Sequence, residues 1–155
     1  MELSLSINGD SVTVDVPPNT TLVQLLRDEL QMTGTHVGCD TTQCGACTVL
    51  LDGEAVKSCN LLAAQCADRE VTTIEGLKGD NGGLHPVQEA FHELHGLQCG
   101  FCTPGMVMSI VDLCNRVPDA DEDQIREQLD GNYCRCTGYQ NIVRAVQKAQ
   151  QTLRT

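Results

Sequence analysis

The 155-residue sequence contains no tryptophan, and its aromatic residues are Phe91, Phe101, Tyr133 and Tyr139 alone. So few large rings leave little to bury, and a chain of this length suits one ordinary domain or two small ones that need other fastening. No apolar run approaches the roughly 20 residues of a membrane span, and Met1–Asn8 alternates polar with apolar residues, unlike a secretory leader. These absences lead to the expectation of a cytoplasmic chain with no transmembrane segment. Basic residues are scarce too: 10 Lys and Arg stand against 21 Asp and Glu, a formal net charge of −11, which excludes a phosphate-backbone binder and hence nucleic acid as partner. The shortage is sharpest from Met1 to Gly76, where 3 bases face 11 acids.

Cysteine, by contrast, is abundant, with ten residues. In a reducing compartment grouped cysteines are metal ligands or redox groups rather than disulfides. The elements that carry them can be read from periodicity. Leu3, Leu5 and Ile7, an Asn8-Gly9 turn, and Val12, Val14 and Val16 predict a β-hairpin closed by Pro17-Pro18. Thr20 or Thr21 caps a helix striped by Leu22, Leu25, Leu26 and Leu30. Met32 to Cys47 has neither period and reads as an ordered loop; Val49 to Val56 predicts a second hairpin and Val71 to Ile74 a last strand. Lys78 to Gly83, with three glycines, reads as a linker. Beyond it the 3.6-residue period predicts four helices, opened by Pro86, by Thr103-Pro104, by an Asp121/Gln124 capping box, and before Ile142. The expected division is 1–77, a small mixed sheet with one helix, and 78–155, all helical.

Eight cysteines form two quartets, one per expected domain. Cys39, Cys44 and Cys47 have the C-x4-C-x2-C spacing of plant-type 2Fe-2S proteins, with Cys59 as the distant fourth ligand. Gly38, Gly45 and Ala46 let backbone N–H groups approach the sulfurs. Cys99 and Cys102 lead into one helix, and Cys134 and Cys136 precede another, so two helix openings facing one another would make a second four-thiolate site. Zinc at both quartets is the competing chemistry, which would make the chain a zinc-stabilised interaction module; a free-standing two-cluster ferredoxin is a third reading.

Five stretches, Gly38–Val49, Val56–Cys59, Thr73–Leu77, Gln98–Met106 and Asn132–Tyr139, resemble the iron-sulfur small subunits of molybdenum hydroxylases, the xanthine oxidase family, and most closely those of aerobic carbon monoxide dehydrogenases. The resemblance implies an α+β chain: a β-grasp ferredoxin-type domain, then a four-helix bundle, each with a 2Fe-2S cluster. It implies Cys39, Cys44, Cys47 and Cys59 as ligands of the cluster distal to molybdenum, and Cys99, Cys102, Cys134 and Cys136 as ligands of the proximal one. Gln98 and the stretch around Cys136 would meet a molybdopterin cofactor, expected as the cytosine dinucleotide, on a large subunit. Electrons would pass from there to FAD on a medium subunit, in a dimer of heterotrimers that partners could hold peripherally at an inner membrane. The substrate would be carbon monoxide, an N-heterocycle or an aldehyde, bound on another chain. This sequence has no flavin fingerprint of the G-x-G-x-x-G kind.

Outside the quartets, Cys114 shares a helix face with Val107, Ile110 and Val111 and reads as a buried apolar thiol, as does Cys66 beside Leu61 and Leu62. His92 and His95 lack a third ligand beyond Glu89 and read as surface residues. His36 reads as packing, and the acids from Asp119 to Asp130 as a solvated face. Arg135, inside the C-x-C motif, is expected to offset cluster charge or reach a partner.

Overall fold

The computed structural model describes all 155 residues. The Leu3/Leu5/Ile7 alternation forms β1 (Glu2–Ile7), and Asn8 and Gly9 reverse the chain at φ 54° and 87°. The returning strand β2 (Asp10–Asp15) sets Leu3 opposite Val14 and Leu5 opposite Val12. Thr21 caps α1 (Leu22–Gln24), its hydroxyl accepting from Gln24 N–H while the Gln24 side chain accepts from Thr21 N–H at 2.9 Å. The leucine stripe continues, but as a wider π-turn over Leu25–Glu29: Leu30 N–H reaches back five residues to Leu25 O at 3.0 Å, and Leu25 and Leu26 are buried.

The second hairpin is β3 (Thr48–Leu51) and β4 (Glu54–Lys57) about Asp52-Gly53. Single 3-10 turns, Ser58–Asn60 and Ala63–Cys66, lead to β5 (Glu70–Thr72). That strand stops short of Ile74, which begins another 3-10 turn. The sheet order is β2-β1-β5-β3-β4, with β1 and β5 parallel and every other pair antiparallel.

Four longer helices follow: α2 (Pro86–Glu93), α3 (Thr103–Arg116), α4 (Glu122–Leu129) and α5 (Gln140–Leu153), so the chain has five in all. His85 Nδ1 caps α2 by accepting from Val87 N–H at 3.2 Å, and the Asp121/Gln124 box caps α4 with bonds of 2.9 and 3.0 Å. α2 packs on α3 and α5, and α4 packs on the same two helices. No helix is long and apolar enough to cross a membrane.

Two apolar cores result. One joins Leu3, Leu5, Ile7, Leu22, Val49 and Val71, and the other Phe91, Met106, Ile110, Ile125, Ile142 and Val146. Cys66 is buried in the first and Cys114 in the second, as expected. β3 serves both: successive strand residues face opposite sides, so Val49 and Leu51 join the sheet core while Leu50 joins the helical one beneath α3.

Candidate metal centres

Three cysteines of the first quartet, Cys39, Cys44 and Cys47, lie on the loop between α1 and β3. At its entrance Arg27 donates to Thr33 O at 2.9 Å and Thr35 O at 2.7 Å. Cys44 N–H donates to Cys39 Sγ at 3.4 Å and Ala46 N–H to Cys44 Sγ at 3.5 Å. Gly45 turns between them at φ 72°, and a Cβ on Gly38 would stand 3.2 Å from Cys44 Sγ. Lys57 Nζ, from the end of β4, donates to Thr42 O at 2.9 Å and Gln43 O at 3.3 Å. The turn after β4 brings the Cys59 thiol against Cys47, and the Ser58 hydroxyl donates to Cys47 O at 2.7 Å.

The thiols of this quartet are biased unequally. Backbone N–H groups of Cys44 and Thr41, with the Cys44 side chain, hold Cys39 down at about 6. Burial raises Cys44, and burial plus the adjacent Cys59 raises Cys47 to about 11. Thiols bind metal as thiolates, so Cys44 and Cys47 give up their protons when a metal binds.

In the second quartet Cys102, the N-cap of α3, meets Cys134, with Cys99 close by. The helix opening does not dominate Cys102: burial and the Cys134 sulfur push it up to about 12. Cys134 is lowered: burial opposes ionisation, but hydrogen bonds from Thr137, the Cys136 N–H and Cys102 outweigh it. α5 begins at Gln140, before Ile142 as the sequence predicts, but its opening stands away from Cys134 and Cys136, because Tyr139 between them takes a left-handed φ of 69°. A local turn replaces it: Thr137 Oγ1 lies 3.2 Å from Cys134 Sγ, and Cys134 N–H donates to the Tyr139 hydroxyl at 2.8 Å. Cys99 and Cys136 are exposed, as is Gln98, which makes no side-chain hydrogen bond within the chain.

The two cysteine segments touch. Tyr133 N–H donates to Cys44 O at 2.8 Å, and buried Asn132 Nδ2 donates to Gly45 O at 3.0 Å. The Tyr139 hydroxyl donates onward to Asn132 O at 3.3 Å. α3 closes in at Gly105, where a Cβ would fall 2.2 Å from Gly45 O. His36 stacks on Phe101 with centroids 4.7 Å apart, and its Nδ1 lies 2.7 Å from Phe101 O. A carbonyl only accepts, so Nδ1 carries the proton. His36 is therefore a bridge between the quartets, more than the packing expected of it. Asn132, Tyr139 and Lys57 also escaped the sequence reading, although each lies within two residues of a quartet cysteine or inside Asn132–Tyr139. His92 and His95 are exposed, as expected. Arg135 is exposed and donates to the Tyr133 hydroxyl at 2.9 Å.

The donor set fits 2Fe-2S clusters. The sulfurs meet in pairs, Cys39 with Cys44, Cys47 with Cys59, and Cys102 with Cys134. Each iron of a two-iron core takes two thiolates, and the backbone N–H groups aimed at sulfur suit its negative charge.

Comparison with known proteins agrees. A family described as a 2Fe-2S iron-sulfur cluster binding domain matches residues 5–77, and a second, a 2Fe-2S binding domain, matches residues 73–147. The chain is 47% identical to the caffeine dehydrogenase subunit gamma of Pseudomonas sp. (strain CBB1), over 97% of this chain and 91% of that protein. It is 47% identical to the nicotine 6-hydroxylase small subunit of Paenarthrobacter nicotinovorans, over 94% and 87%. The crystal structure of quinoline 2-oxidoreductase from Pseudomonas putida 86 superimposes with a TM-score of 0.92 at 38% identity, covering 99% of this chain and 96% of that one.

Proposed function

This chain belongs to the iron-sulfur small subunits of the xanthine-oxidase-type molybdenum hydroxylases, and from that premise we propose which of its residues hold and serve the two clusters. The chain is an electron-transfer subunit working with molybdenum and FAD on partner subunits. The zinc module and the free-standing ferredoxin give way to it. Cys39, Cys44, Cys47 and Cys59 hold the cluster nearer FAD, and Cys99, Cys102, Cys134 and Cys136 the one nearer molybdenum. Each cluster, when bound, supplies a one-electron carrier.

The observation that carries the reading is the contact between Tyr133 N–H and Cys44 O. It leaves one hydrogen bond between the backbone beside Cys134 and that of Cys44, so the two ligand sets form one connected network. Exposed Gln98, Cys99 and Cys136 face outward, which suits Gln98 and Cys136 to the pterin of the large subunit, taken here as the cytosine dinucleotide. We divide the chain at 77/78 into a β-grasp domain and a four-helix bundle. We place the complex in the cytoplasm as a dimer of heterotrimers. Relatives named for caffeine, nicotine and quinoline favour an N-heterocycle as substrate of the complex over carbon monoxide, and relatives named as aldehyde oxidoreductases keep an aldehyde as the second reading.

Purified chain should be brown and contain about four irons, with two distinct EPR signals after reduction. Cys44→Ser and Cys102→Ser should each remove one signal and about half the iron, a different signal in each variant. Colourless protein containing zinc would refute the assignment.

A further inference from the structure

We propose that Lys57 is a positioning residue for the first cluster site: its ammonium clamps the peptide group that presents Cys44 N–H to the Cys39 sulfur and raises the reduction potential there. The inference rests on the ligand assignment above and deepens it.

The peptide between Gln43 and Cys44 is held at both ends, Gln43 O by Lys57 Nζ at 3.3 Å and Cys44 N–H by Cys39 Sγ at 3.4 Å. In a planar trans peptide the C=O and N–H point opposite ways, so holding the oxygen outward aims the N–H inward. Lys57 also holds Thr42 O at 2.9 Å, and Thr42 takes a left-handed φ of 64°, a conformation a β-branched residue keeps only when its surroundings impose it. The clamp is anchored, because Lys57 pairs with Thr48 across the β3–β4 ladder, and Thr48 follows Cys47.

Charge adds to position. The other two bases before Gly76 are committed elsewhere: Arg69 pairs with Asp52 at 2.6 Å, and Arg27 holds the carbonyls of Thr33 and Thr35. None of the chain's four ion pairs involves Lys57. No carboxylate stands within 4 Å of its ammonium, whose hydrogen bonds go to the cysteine loop. A nearby cation and N–H···S bonds both favour the reduced, more negative cluster.

The test is an EPR-monitored redox titration of the full chain in its complex, as wild type, Lys57→Arg, Lys57→Gln and Lys57→Met, with the second cluster as internal reference. Lys57→Gln and Lys57→Met should lower the reduced-to-oxidised ratio of the first cluster about three- to tenfold at a fixed potential, tenfold being about 59 mV for one electron. Lys57→Arg should stay within about twofold, and the second cluster should not move. A first cluster lost in the Gln and Met variants but kept in Lys57→Arg also supports the clamp. Unchanged ratios in Lys57→Gln and Lys57→Met, equal shifts of both clusters, or loss of iron from Lys57→Arg would overturn it. Failure of the ligand assignment is distinguishable, since it shows as missing iron in the wild type.

Discussion

Gly105 and Gly45 decide how close the two cysteine segments come. Gly105 lies in a helix, where alanine is ordinarily preferred, yet a Cβ there would collide with Gly45 O and stand 2.9 Å from Ala46 O. Gly105→Ala should therefore destabilise the chain by about 2–3 kcal/mol in urea unfolding. Gly53→Ala, at φ 88° with open space around the Cβ, should cost only about 1 kcal/mol, the conformational penalty alone. Equal losses would mean that backbone freedom, rather than the close approach, selects Gly105. The cysteines divide by the same logic. Burial raises Cys114 to about 11, with no neighbouring sulfur, so it stays a neutral thiol. Cys114→Ala should lower stability by about 1–2 kcal/mol while iron content stays unchanged, measured by denaturant titration beside metal analysis.

Among the elements, the helix starts hold the most information. Asp121→Ala removes the α4 cap and should cost about 1 kcal/mol. α2 is capped by an imidazole, which can accept from Val87 N–H only while its Nδ1 is unprotonated. Burial lowers the His85 pKa, and Asp80 opposes that only in part. The unfolded chain thus takes up this proton at higher pH than the folded chain. The contribution to stability is complete above the unfolded value of about 6.5 and declines as pH falls below it. His85→Asn keeps a capping acceptor that does not titrate. Its unfolding midpoint should gain on the wild type as pH drops from about 7.5 to about 5. A constant gap across that range would show that His85 protonation is not coupled to folding.

At the scale of the whole molecule, two cores share one strand. Leu50 of β3 reaches the helical core while its neighbours fill the sheet core, and Asn132 and Tyr133 bind the loop just before β3. Such shared contacts couple the unfolding of the halves. Calorimetry should give a single transition, and Leu50→Ala should lower its midpoint as a whole, for a cost of about 2–5 kcal/mol. Two resolved peaks, one of them unmoved by Leu50→Ala, would contradict that coupling.

Alternation in Leu3–Val16, the Asp121/Gln124 box and the stripes of α2 to α5 depend on residues near one another in sequence, so hairpins, helices and the C-x4-C-x2-C loop could be read directly. The π-turn at Leu25–Glu29 could not, since the same leucine spacing suits an ordinary α-helix and buries Leu25 and Leu26 equally well. Nor could the turn before α5: the left-handed Tyr139, whose hydroxyl ties Cys134 N–H to Asn132 O, sets the two cysteines apart from the helix opening at Gln140. By itself the sequence determined the eight clustered thiols and the elements that bear them, because ligand type and spacing are local properties of the chain. Only the tertiary structure decided which sulfurs pair, that Tyr133 N–H meets Cys44 O, and that Lys57 stands over the first cysteine loop. Those contacts join residues far apart in sequence, and close packing of α3 against β3, with no room for a side chain at Gly105, is what brings them together.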